Sequence, residues 1–93
     1  MAEQQINIKF DDQVIKGRYS NNLIIQHTKE EFVLDFLTIT PPQGSLVSRI
    51  MTTPAHMKRI LRALSENVKI YEKSFGTIEE SDSPDNSIGF KAN

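Results

Sequence analysis

The chain contains no cysteine. Disulfide staples and thiolate metal sites are therefore excluded, and a reducing compartment is allowed. Its glycines number four and are scattered, so no Gly-rich loop is available to cradle a phosphate. No G-x-S-x-G elbow, P-loop or dinucleotide fingerprint occurs. The histidines are two, His27 and His56. With cysteine absent they fall short of the three or four ligands a transition-metal site draws on. No apolar run approaches the roughly 20 residues of a membrane-spanning helix. Residues 1–5 lack a basic region and an apolar stretch, so no signal peptide is expected and a cytoplasmic location is. Formal net charge is −1, so no global field draws the chain to nucleic acid or an anionic membrane. These absences together imply no catalytic, cofactor or metal site, and a protein that is not an enzyme.

What is present is 93 residues, 38% of them hydrophobic, which bounds the chain to one domain with a thin core. A chain this short buries only about 60–65% of the surface it exposes when unfolded.

The first half reads as strands. Ile6, Ile8 and Phe10 alternate with Asn7 and Lys9, the period of a half-buried strand. Asp11-Asp12 reads as a turn, Val14 to Tyr19 as a weaker strand with a bulge at Gly17, and Ser20-Asn21-Asn22 as a turn cluster. Leu23 to His27 is a third strand. Glu31 to Thr40 is the strongest, with Phe32, Leu34 and Phe36 on one face and Val33, Leu37 and Ile39 on the other. A strand apolar on both faces needs cover on both sides. Pro41-Pro42-Gln43-Gly44 breaks the sheet, because neither proline can donate to a ladder. Ser45 to Thr52 returns as the last strand.

A long helix follows. Thr53 suits its N-cap and Pro54 its first position, where the missing amide is not needed. Met57, Ile60, Leu61, Leu64, Val68, Tyr71 and Phe75 recur three and four apart and form one apolar stripe. Gly76 stands where a helix-ending glycine would. The expected architecture is α+β: an antiparallel sheet of four or five strands with one long C-terminal helix packed on one face. Residues 1–76 would form the single domain. Residues 77–93, acidic and polar, would form a disordered tail.

One helix covers one face of a sheet, so the face bearing Val33, Leu37 and Ile39 is the candidate surface for self-association into a homodimer. Asp35, a carboxylate among apolar neighbours, is expected to form a structural salt bridge with Arg49 on the next strand. Glu31 lies on the same strand face, but nothing marks a pocket that would tune this pair for acid–base work. On the polar side of the helix Lys58, Arg62, Lys69 and Lys73 align as a basic ridge. That ridge is a candidate docking surface for an acidic protein partner. It is short and lacks interleaved aromatics, which argues against nucleic acid.

Several motifs carry a family resemblance. Gly17-Arg18-Tyr19-Ser20-Asn21 is followed by His27-Thr28, Glu31-Phe32-Val33-Leu34-Asp35-Phe36 and Ser48-Arg49-Ile50. Pro54-Ala55-His56-Met57-Lys58-Arg59, Tyr71-Glu72 and Phe75-Gly76 complete the series. Over roughly Asn7 to Ile78 the chain resembles the small bacterial family called domain of unknown function 3467. Ser20 departs from it, standing where alanine is commoner. The family has no assigned activity. The resemblance implies a place near the large subunits of bacterial RNA polymerase, and so an accessory or regulatory role in transcription. Antiparallel strands followed by a long helix are also similar in order to the export chaperone SecB, which implies a holdase as a further alternative.

Overall fold

The structure, a computed structural model, describes residues 4–80. In chain order it holds α1 (Asp12–Ile15), β1 (Asn22–His27), β2 (Phe32–Thr40), β3 (Gln43–Thr52) and α2 (Pro54–Phe75). The three strands form one antiparallel sheet in the order β1-β2-β3, with β2 in the centre.

The sheet has three strands among the described residues, where four or five were expected. The segment around Ile6, Ile8 and Phe10 has no regular structure, and these side chains are 77%, 80% and 64% exposed. Alternation makes a segment able to pair but supplies no neighbour to pair with. The expected strand over Val14–Tyr19 is replaced by a helical turn. Asp11 is its N-cap, with its side-chain carboxylate accepting from the Gln13 amide at 2.7 Å. Gly17 ends the turn at φ 76°, donating its amide to the Val14 carbonyl at 3.1 Å. A capping aspartate and a terminating glycine thus decided the local structure, where alternation had suggested a strand.

The hairpin joining β1 to β2 turns at Thr28. Its hydroxyl accepts from the amides of Glu30 and Glu31, and its own amide donates to the Glu31 carbonyl. The β2–β3 hairpin turns at Pro41-Pro42, which are joined by a cis peptide bond. Gln43 and Gly44, expected in a loop, pair with Thr40 and Ile39 inside the ladder. Between Phe36 and Leu37 the register skips Val47, which places a bulge on β3.

Register fixes the faces. On one face, Ile25, Leu34 and Ile50 form a cross-strand row, flanked by Leu23 beside Phe36 and by His27 beside Phe32. On the other, Asp35 sits between Ile24 and Arg49, and Val33 lies opposite Met51. The end of β2 is closed by a side chain acting as backbone. Asn21 donates its amide nitrogen to the Ile39 carbonyl at 2.9 Å, and its side-chain oxygen accepts from the Ile39 amide at 2.8 Å. Ser20 donates to the Leu37 carbonyl at 2.8 Å and Thr38 to the Tyr19 carbonyl at 2.6 Å. These bonds hold the strand-like segment before β1 to β2 without a further strand.

Helix α2 begins and ends at the expected residues. The Thr53 hydroxyl accepts from the His56 amide at 3.2 Å, and Gly76 adopts φ 93°, ψ 171°, a conformation essentially restricted to glycine. The helix does not lie on the sheet, contrary to expectation. Along its stripe Met57 and Ile60 are half-buried, while Leu61, Leu64, Val68, Tyr71 and Phe75 are 45–75% exposed. The cause is local. Only Thr53 separates β3 from α2, shorter than the usual strand-to-helix connection. Pro54 fixes its own φ and biases the residue before it to extended geometry, which Thr53 adopts at φ −82°, ψ 157°. The helix therefore leaves the sheet along a set direction and does not double back.

The consequence is a chain with almost no interior of its own. Among the described residues, Leu34 and Ile39 are the buried hydrophobic ones and Asp35 the buried polar one. Accessible surface is 8926 Å², against about 5,500 Å² for a compact monomer of this mass. Against about 4,800 Å² for a compact monomer of the mass of residues 4–80, and with the remaining residues credited with the whole surface of an extended chain, about 2,500 Å², an excess of about 1,600 Å² remains.

Candidate interaction surfaces

Four surfaces are candidates for a functional contact, and the strands and helix place each. The first is the face of Val33, Leu37 and Ile39. Ile39 is already buried, beneath the bonds of Asn21 and with its Cγ1 3.7 Å from where a Cβ on Gly44 would stand. Val33 and Leu37 are half-buried. At its centre Asp35 and Arg49 form a bidentate ion pair. Arg49 Nε donates to Asp35 Oδ1 at 2.7 Å and Nη2 to Oδ2 at 2.9 Å. The Asp35 side chain is 10% exposed and that of Arg49 54%, so the guanidinium roofs the carboxylate while keeping contact with water. The hydrogen bonds from Arg49 hold the Asp35 carboxyl below the usual range, outweighing the opposing effect of burial. Asp35 in turn raises Arg49. This is a structural pair, and it makes the face amphipathic.

The opposite sheet face carries no Asp, Glu, Lys or Arg on β1 and β2, and Arg18 borders it beside Leu23, Phe36 and Ser48. Leu23, Ile25 and Ile50 are 42%, 46% and 47% exposed around buried Leu34. His27 and Phe32 stack across the hairpin with ring centroids 5.4 Å apart. Sequence alternation marks this face apolar, and its exposure is comparable to that of the other face, where Met51 and Leu46, opposite Val33 and Leu37, are also exposed.

The third surface is the α2 stripe described above, which ends in a tilted Tyr71–Phe75 ring pair at 5.0 Å. The fourth is the basic ridge. Lys58, Arg62 and Lys69 border one shallow groove with Leu61, Ser65 and Glu66, and Lys73 follows in the last turn. All four cations are exposed, and none enters an ion pair with a described residue. Ile70 is 64% exposed on the outer side of the helix. Arg59 Nη2 donates to His56 Nδ1 at 3.2 Å. Beyond α2 the chain turns back: the Ile78 amide donates to Glu72 Oε2 at 2.8 Å. Most of the expected acidic tail, from residue 81 onward, lies outside the described residues.

Among the described residues, no group of three or more His, Asp or Glu side chains converges as metal ligands would, and no helix is long and apolar enough to cross a membrane. The bond missed by sequence reasoning is that of Asn21. Its signal was an asparagine directly before a strand, where a side-chain amide can stand in for a peptide group.

The fold and these surfaces define an α+β domain: a three-stranded antiparallel sheet followed by a helix whose apolar stripe is uncovered. The chain belongs to the family described as "Protein of unknown function (DUF3467)", whose sequence profile matches residues 1–80. No curated protein and no solved structure matches it.

Proposed function

We propose that this protein is a non-enzymatic interaction module of the cytoplasm that works as a homodimer and presents its basic helix ridge to an acidic partner protein. One observation carries the proposal. The single chain leaves a helix stripe and a flanking sheet face uncovered, and its excess surface of about 1,600 Å² is of the size each partner buries in an obligate dimer. Pairing supplies the core that the chain lacks alone. It leaves Lys58, Arg62, Lys69 and Lys73 on the outer side of α2, beside the stripe and free for a third party.

The test has two parts. Sedimentation of the full chain should give a dimer from nanomolar to micromolar concentration, and a monomer throughout refutes self-association. Tagged chain recovered from its host, compared with a Lys58→Glu, Arg62→Glu, Lys69→Glu variant, should retain a protein that the variant loses. Identical retention refutes the docking role of the ridge. If the lost protein is an RNA polymerase subunit, the module is an accessory of transcription.

A second possibility is a SecB-like holdase, with that chaperone's order of strands followed by a long helix. It is favoured by the exposed apolar side chains of Ile6, Ile8 and Phe10, which lie outside any element. It predicts suppression of aggregation of unfolded protein at stoichiometric ratio. No suppression removes it.

A further inference from the structure

Accepting the homodimer proposed above, we infer that it forms by reciprocal exchange: the α2 stripe of each copy lies across the sheet face of Leu23, Ile25, Leu34 and Ile50 in the other. Two surfaces in one chain lack a partner, and they are complementary in kind. A helix stripe and a sheet face are the two surfaces that pack to make an α+β core. They match in length. Twenty-two helical residues span about 33 Å, and the nine or ten residues of β2 and β3 span about 30–33 Å.

Within one chain the match is blocked. The one-residue link at Thr53, stiffened by Pro54, sends α2 off the sheet, so the stripe from Leu61 to Phe75 is left exposed by its own chain. A second copy related by a twofold axis removes the conflict. The stripe of each covers the face of the other, and the assembly is closed. Pairing stripe against stripe would bury α2 but leave Leu23, Ile25 and Ile50 uncovered on both copies.

Between the two sheet faces, the choice falls on that of Leu23, Ile25, Leu34 and Ile50. The other face carries the Asp35–Arg49 pair at its centre, and its Ile39 is already packed. Laying an apolar stripe over an ion pair would strip the Arg49 guanidinium of its water. Over Ile25 and Ile50 the stripe meets only hydrocarbon.

The absence of cysteine makes the test direct. A tagged Ile25→Cys chain is refolded together with an untagged chain carrying a single cysteine at Leu61, Leu64 or Val68, then treated with a short thiol cross-linker. The expected product is a covalent dimer containing one chain of each kind, from at least one of the three stripe positions. Dimers linked only helix to helix overturn the exchange while leaving self-association intact. A double variant, Ile25→Cys with Leu64→Cys, distinguishes the remaining case. If it links within one chain at monomer mass when dilute, the helix folds back on its own sheet and the inference is wrong. A chain that sediments as a monomer at every concentration removes the homodimer itself.

Discussion

Truncating Leu64 separates the free chain from the assembled one. In the single chain this side chain is 59% exposed. Were that its working state, Leu64→Ala would change stability by no more than about 0.5 kcal/mol, as surface substitutions do. If the stripe is buried against a second copy, the same change removes a packed leucine, which costs about 2–5 kcal/mol per site. A symmetric dimer carries the substitution twice, so the assembly loses about 4–10 kcal/mol. At about 1.4 kcal/mol per decade, the dimer dissociation constant rises at least ~1000-fold. Sedimentation equilibrium across a dilution series reads this directly, and far-ultraviolet circular dichroism on the same samples follows the helix. Helix content should fall with dissociation, because a stripe without cover contributes little to helix stability in water. An unchanged dissociation constant, in a variant that keeps its helix, would refute the burial of the stripe.

Other substitutions report on single devices of the fold. Asn21→Ala leaves the amide and carbonyl of buried Ile39 without their partners and should cost about 1–3 kcal/mol in chemical denaturation. Gly76→Ala should destabilise by more than about 1 kcal/mol, because φ 93° with ψ 171° is costly for any residue with a Cβ. Thr53→Ala removes the N-cap of α2 and should cost about 1 kcal/mol, measurable as a lower denaturation midpoint. Asp35 has a carboxyl pKa lowered by Arg49 in the folded chain. Its contribution is therefore present above the unfolded carboxylate pKa and is lost as pH falls through the lower folded value. Asp35→Asn should flatten the acid limb of the stability profile, and an unaltered limb would show that the pair does not contribute.

The sequence disclosed the parts of this fold that depend on neighbours along the chain. Thr53, Pro54 and Gly76 fixed α2 to the residue, because caps act over a single turn. Strands β1 to β3 were legible from their alternation, to within two residues at their ends. Pairing Asp35 with Arg49 needed only the two adjoining strands, since a carboxylate among apolar groups seeks the nearest cation. What escaped depended on distant partners or on competing local signals. Ile6, Ile8 and Phe10 alternate as a strand would, yet no edge in the structure receives them. Asp11 was recognised as a turn residue and Gly17 as an irregularity within a strand, without the helical turn they enclose. The packing of α2 on its own sheet was inferred from the stripe alone. The stripe says that the helix must be covered, while the length and stiffness of the link at Thr53 govern whether its own sheet can do so. The same gap touches the candidate self-association surface. Val33, Leu37 and Ile39 follow from strand period, but the degree of cover each receives depends on Asn21, Arg49 and Gly44, which periodicity does not register.

The claim that a second copy completes the core is tested most directly by the mass of the full chain in solution at the lowest concentration that can be followed. A particle of twice the 10.6 kDa chain, with Leu61, Leu64 and Val68 protected from solvent labelling, is the predicted result. A stable particle of one chain mass, with its helix intact and its stripe open to labelling, would contradict it.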